Sequence, residues 1–155
     1  MKKLTLFRRS VPDKSGYPDL YILTDADTTQ EIGRGSCGTN PNPVRPSNHV
    51  PWQQAYGQIA LGTYSFICIV SPKHNKCLAI NNGGRVPTTN PNVNHKGAKY
   101  AEAVLVHEGY SPTWRGSAAC CTIPPADWQA FIARFTLGEK GTVVLGADGE
   151  SESGH

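Results

Sequence analysis

No apolar run in this chain approaches the roughly 20 residues that cross a bilayer as a helix, so a membrane-spanning helix is not expected. No C-x-x-C pair occurs among the five cysteines, Cys37, Cys68, Cys77, Cys120 and Cys121, which argues against a zinc knuckle. The count is odd, so at least one thiol stays outside any internal disulfide. Cys68 and Cys77 flank a turn-like Ser71-Pro72-Lys73-His74-Asn75 and could face one another across a hairpin, although buried reduced cysteines are the preferred reading. Dense basic runs are also lacking. The net charge of +3 is spread over residues such as Lys2, Lys3, Arg8, Arg9, Lys96 and Lys99, a pattern that gives nucleic-acid binding little support. Met1-Lys2-Lys3 looks like the basic end of an export signal, but Arg8, Arg9, Asp13 and Lys14 interrupt the apolar stretch that should follow. A soluble protein without a cleaved leader is expected. His49, His74 and His95 fall in loops with no clustered carboxylate or cysteine and read as solvated, so neither a metal nor a cofactor site is expected.

What is present is turn chemistry. With 16 Gly and 12 Pro in 155 residues, the chain reads as one mainly β domain over residues 1–146 with one or two helices, followed by a flexible tail at 147–155. Leu4 to Arg9 and Asp19 to Thr24 read as an opening hairpin around Pro12, Ser15 and Gly16. Gly33 to Trp52 reads as a long surface loop, because Gly, Pro, Asn and Ser dominate it. Thr63 to Val70 is the clearest strand, apolar on both faces and therefore central. Cys77 to Ile80 is expected to pair with it, Asn81 to Gly97 is loop, and Ala101 to His107 returns to β with His107 at the strand end. Trp128, Phe131, Ile132 and Phe135 recur at helical spacing behind Pro124 and Pro125, with Gly138 and Gly141 ending that helix and Thr142 to Leu145 forming the last strand.

The chemistry-bearing segment runs from Val106-His107-Glu108-Gly109 to Gly116-Ser117-Ala118-Ala119-Cys120-Cys121-Thr122-Ile123-Pro124. Read as a histidine at a strand end and cysteines ahead of a helix, it places a thiol where the helix dipole and unpaired N–H groups would lower its pKa and hold an oxyanion. A nearby imidazole can take the thiol proton and return it to a leaving amine, the minimal equipment for acyl transfer. The histidine precedes Cys120 by thirteen positions, the reverse of the papain-like order. Tyr110, Trp114 and Tyr56 are placed to line a groove, since the loop between His107 and Cys120 must lie over the site.

With these residues, the chain resembles the L,D-transpeptidase catalytic domain, whose pattern is a histidine followed by glycine and then Ser/Thr-x-Gly-Cys. Ser117-Ala118-Ala119-Cys120 matches the second part, with Ala119 in place of glycine and Thr122 where an arginine is common. Ile59-Ala60-Leu61-Gly62-Thr63-Tyr64 is similar to the family's turn into a strand, and Gly33 to Gly38 to its Ser-Thr-Gly loop. The short His-to-Cys spacing looks most like small phage or secretion-toxin relatives. The resemblance implies a β-sandwich or open barrel in which Cys120 precedes a helix and attacks an acyl carbon while His107 exchanges the proton. It implies further that the Cys120 and Cys121 amides hold the oxyanion, and that Ser117 orients His107 or the substrate. Gly109, Tyr110, Trp114 and Arg115 are the expected substrate contacts, with Arg115 or Lys99 supplying the cation for a substrate carboxylate. The implied substrate is a peptidoglycan stem peptide, cross-linked, exchanged or hydrolysed through a Cys acyl-enzyme. An immunity or carrier protein would be the partner, and delivery to the periplasm or wall would use a route other than a leader. Two rivals stand beside this reading: a catalytically silent module that binds wall peptide or protein on the same fold, and a thiol peptidase or amidase acting away from the wall.

Overall fold

The computed structural model describes residues 1–9, 16–40, 57–112 and 120–147. β1 (Lys2–Arg8) turns Leu4 and Leu6 inward, and β2 (Asp19–Asp25) sets Leu23 and Tyr21 across from them in antiparallel register. The turn residues 10–15 lie outside the described residues, as does the tail beyond Ala147. β3 (Glu31–Cys37) pairs antiparallel with β2. This corrects the expectation of a loop from Gly33 to Trp52, whose remainder past Asn40 lies outside the described residues. Glycine weakens a strand signal because it contributes no side chain to pack. Here the glycines serve packing instead: the Arg134 guanidinium occupies the space a side chain at Gly33 would need, and the Tyr21 ring lies against Gly35.

β4 (Gly62–Ser71) and β5 (Asn75–Ile80) form an antiparallel hairpin. A small ribbon of β6 (Val86–Pro87) and β7 (Tyr100–Ala101) follows. The single strand expected over Ala101 to His107 is broken, since Ala103 takes a positive φ of 55° and only β8 (Leu105–Glu108) enters the main sheet. β9 (Cys121–Ile123), α1 (Pro125–Ile132) and β10 (Lys140–Ala147) complete the order. Proline sits at the first helical position, where its missing N–H costs nothing. The helix stops at Ile132, and Phe135 reaches the core from the turn beyond it.

The eight main strands run β3-β2-β1-β10-β4-β5-β8-β9, with β1–β10 and β8–β9 parallel. The two ends of this sheet meet. Gly38 N–H donates to Thr122 O at 2.8 Å and Thr122 N–H to Gly38 O at 2.9 Å, so β9 joins the chain leaving β3 and the sheet is a nearly closed barrel. Inside it, Phe131 of α1 meets Tyr21 edge-on at 5.2 Å and Phe135 meets Phe66 at 5.5 Å, the T-shaped geometry that aromatic quadrupoles favour.

A buried charge network braces the seam. Arg8 donates from Nε to Thr39 Oγ1 (3.0 Å), from Nη2 to Thr39 O (2.8 Å) and from Nη1 to Ile59 O (2.7 Å). Asp19, itself buried, accepts from Thr39 N–H at 2.9 Å, Thr39 Oγ1 at 2.7 Å and Arg9 N–H at 2.8 Å. Charged groups withdrawn from water are tolerated when each is bonded in this way. The consequence is positional: Thr39 is held, Gly38 with it, and through Gly38 the strand that follows Cys120.

Candidate active site

Side chains alternate along β8 and β9. Val106, Cys121 and Ile123 enter the core, which leaves Leu105, His107, Cys120 and Thr122 on the other face. His107 pairs with Thr122 in the parallel register, and Val106 with Cys121. His107 and Cys120 thus lie on the same face of neighbouring strands, with Thr122 directly opposite His107 and Cys120 level with Leu105. The Cys120 sulfur accepts a hydrogen bond from Leu105 N–H at 3.4 Å, two residues before His107.

His107 is 1% exposed, and its Nδ1 lies 2.8 Å from Glu108 O. A carbonyl only accepts, so Nδ1 carries the proton and Nε2 is left as the lone-pair nitrogen, the tautomer a general base needs. Burial, together with the Lys73 and His74 charges, lowers the His107 pKa to about 4 against the opposing pull of the Glu108 carbonyl. The imidazole is therefore neutral at neutral pH. Burial raises the Cys120 thiol above its ordinary value, while the Leu105 N–H and the Lys73 ammonium pull it down. Both groups are therefore neutral at neutral pH, thiol and imidazole rather than thiolate and imidazolium.

All five cysteines are thiols. Cys120 is half-buried and the other four are fully buried; desolvation pushes Cys77 to about 11 and Cys121 to about 12. Cys68 pairs with Leu78 and Cys77 with Ile69, so the two cysteines of the hairpin point to opposite faces and do not meet across it.

Three sequence expectations change. Cys120 leads into a strand, and the helix begins only at Pro125, so the helix dipole does not reach the sulfur. Cys121-Thr122-Ile123 is extended because it is paired on both sides, to β8 and to Gly38. The parallel register, with Gly109 N–H donating to Ile123 O at 2.9 Å, directs the Cys121 N–H into the β8 ladder. An oxyanion role for that amide is therefore not carried forward, which leaves the Cys120 amide. The third change is His74, which is half-buried rather than solvated: its ring stacks on His107 with centroids 3.8 Å apart and planes 18° from parallel. His95 is also partly covered, tilted against Tyr100 at 4.5 Å.

The turn that delivers His74 is legible in its residues. Ser71 pairs with Asn75 across a three-residue loop, Pro72-Lys73-His74, and Asn75 takes a φ of 56°, a conformation asparagine tolerates well. This turn and the exit of β8 enclose a cavity of about 320 Å³ lined by Lys73, His74, Asn75, Glu108, Gly109 and Tyr110. A neighbouring cavity of about 360 Å³ shares His74, Asn75 and Glu108 and extends to Trp128 and Gln129 of α1. Gly109 is required by close approach, because the Tyr17 hydroxyl occupies the space of a side chain there and donates onward to Ser111 O at 2.8 Å. Tyr110 stands at the rim, 54% exposed. Ser117, Trp114, Arg115, Tyr56 and His49 lie outside the described residues. Lys99 lines neither cavity; the cation at the site is Lys73, which sequence reasoning missed because only the β4–β5–β8 pairing carries that turn to His107.

No family model, curated protein or solved structure matches this chain.

Proposed function

We propose that the chain is a cysteine-dependent acyl transferase or hydrolase acting on peptidoglycan stem peptides, on an L,D-transpeptidase-like barrel. The observation that carries this reading is His107, held as the Nδ1–H tautomer on a strand whose parallel neighbour is entered directly from the half-buried Cys120 thiol. In the proposed reaction the Cys120 sulfur attacks the acyl carbon as His107 Nε2 takes its proton. His107 then returns the proton to the departing amine, and water or a second amine releases the thioester. Because both groups start neutral, proton transfer accompanies attack. A polar cavity reaches the site through His74 and Glu108, though neither His107 nor Cys120 lines it: the Lys73 ammonium and the Glu108 carboxylate stand on its walls with no ion-pair partner among the described residues, and Tyr110 offers a ring at the rim.

The silent wall-peptide or protein module is the second reading, favoured by one observation: burial keeps the Cys120 sulfur a thiol, against the opposing pull of the Leu105 N–H. Incubation with defined tetrapeptide and cross-linked muropeptides, read by mass spectrometry, separates the two. Shortened or exchanged stems are expected from the intact protein and from Cys121→Ala, whose side chain lies in the core, and none from Cys120→Ala or His107→Ala. Turnover by Cys120→Ala would end the enzyme reading, and binding without turnover by the intact protein would favour the silent module.

A further inference from the structure

An imidazole can turn about its outer side-chain bond, where the torsional wells are broad and twofold. A partial turn would swing Nδ1–H out of line with Glu108 O and weaken that bond. On β8 itself only that one 2.8 Å contact opposes it. The second restraint comes from another element: the His74 ring lies flat on the His107 ring at 3.8 Å, carried by a turn that Pro72 and the positive φ of Asn75 make short and stiff.

We propose that His74 is a positioning residue for His107, its ring clamping the His107 plane so that Nδ1–H stays on the Glu108 carbonyl and Nε2 stays available to the thiol. The clamp works while both rings are neutral. Burial and the Lys73 charge lower the His74 pKa, so neutrality extends to the acid side for both imidazoles. The charged and titratable groups around His107 among the described residues are Lys73 and His74 from the turn, Glu108 on its own strand and Cys120 at the start of β9. To these the β5–β8 register, carried one residue on, adds Cys77 across from it. None of the others is a ring stacked on His107, so a flat neutral side chain at position 74 should serve nearly as well as histidine.

The test compares wild type, His74→Ala and His74→Phe by nitrogen-15 NMR of the imidazoles and by turnover of a defined tetrapeptide muropeptide. Wild type and His74→Phe are expected to show His107 as the Nδ1–H tautomer with a depressed titration. His74→Ala should show mixed tautomers and a titration moved toward the ordinary histidine value. In kinetics, kcat of His74→Ala should fall about 2- to 10-fold, the worth of one ring-on-ring contact, and His74→Phe should recover most of that loss in kcat, with KM left out of the comparison because His74 also lines the cavity. Amide spectra establish that each variant is folded. An unchanged His107 tautomer and titration in folded His74→Ala overturns the proposal, and so does a His74→Phe protein as impaired as His74→Ala. The kinetic arm rests on the acyl-transfer reading, whereas the tautomer arm does not: a wild type without turnover counts against that reading and leaves the clamp judged by NMR.

Discussion

Acidification from pH 6.5 to pH 4 should remove about 3 kcal/mol of folding free energy through His107 alone. The unfolded chain protonates His107 near 6.5, whereas burial in the folded protein lowers the value to about 4. Between those values the unfolded state binds the extra proton, so stability rises with pH across the window and falls as the pH drops through it. At about 1.4 kcal/mol for each pKa unit the full difference is about 3.5 kcal/mol, of which about 3 is lost by pH 4, where the folded imidazole is half-protonated. Domains of this kind hold roughly 5–15 kcal/mol in total, so the loss is large and still measurable by urea denaturation. The assay compares wild type with His107→Gln at pH 4, 5 and 6.5. The stability advantage of wild type over the variant should shrink by about 3 kcal/mol from the highest to the lowest pH. His74 titrates with the same sign but is present in both proteins, so the comparison isolates His107. An advantage that stays constant across the series would refute the argument, because it would mean that burial does not hold this imidazole neutral.

Thr122 offers a second measurement: its hydroxyl is buried with no hydrogen-bond partner among the described residues, so Thr122→Val should stabilise the fold by about 1 kcal/mol in urea titrations. A loss of stability there would show that the hydroxyl is bonded in solution. Gly141→Ala should cost about 1–3 kcal/mol or more in thermal unfolding, because the new methyl would meet the Phe66 ring and the Lys2 carbonyl where β1, β10 and β4 lie together. A wild-type melting temperature would contradict that packing.

The strands with strong side-chain patterns were legible in the sequence. β4 stands out from its run of apolar and aromatic residues between Gly62 and Ser71, and α1 from Trp128, Phe131 and Ile132 at helical spacing. β3 was hidden because Gly33 and Gly35 erase the alternation that marks a strand, although both are small for the sake of Arg134 and Tyr21. The site was legible in its two reacting residues and less so in their setting. Pro124 and Pro125 mark a helix start correctly, but nothing local shows that Cys121 to Ile123 is pulled straight by pairing with β8 and Gly38. His74 lies 33 positions from His107 in sequence, and their contact depends on β5 standing between β4 and β8, a non-local choice that periodicity does not encode.

The parallel pairing of β1 with β10 sets the order in which this molecule can be assembled. The sheet consists of two runs, β3-β2-β1 and β10-β4-β5-β8-β9, and among the described residues their one ladder-long junction is between β1 and β10. During synthesis β1 has β2 to pair with, and β2 has β3, while the other edge of β1 waits for Lys140–Ala147 to emerge. Closing that long loop is the entropically slow step of a non-local β topology. The Gly38–Thr122 seam also joins the two runs, so the bracing of the strand behind Cys120 depends on a contact between early and late parts of the chain as well as on its own β8 ladder.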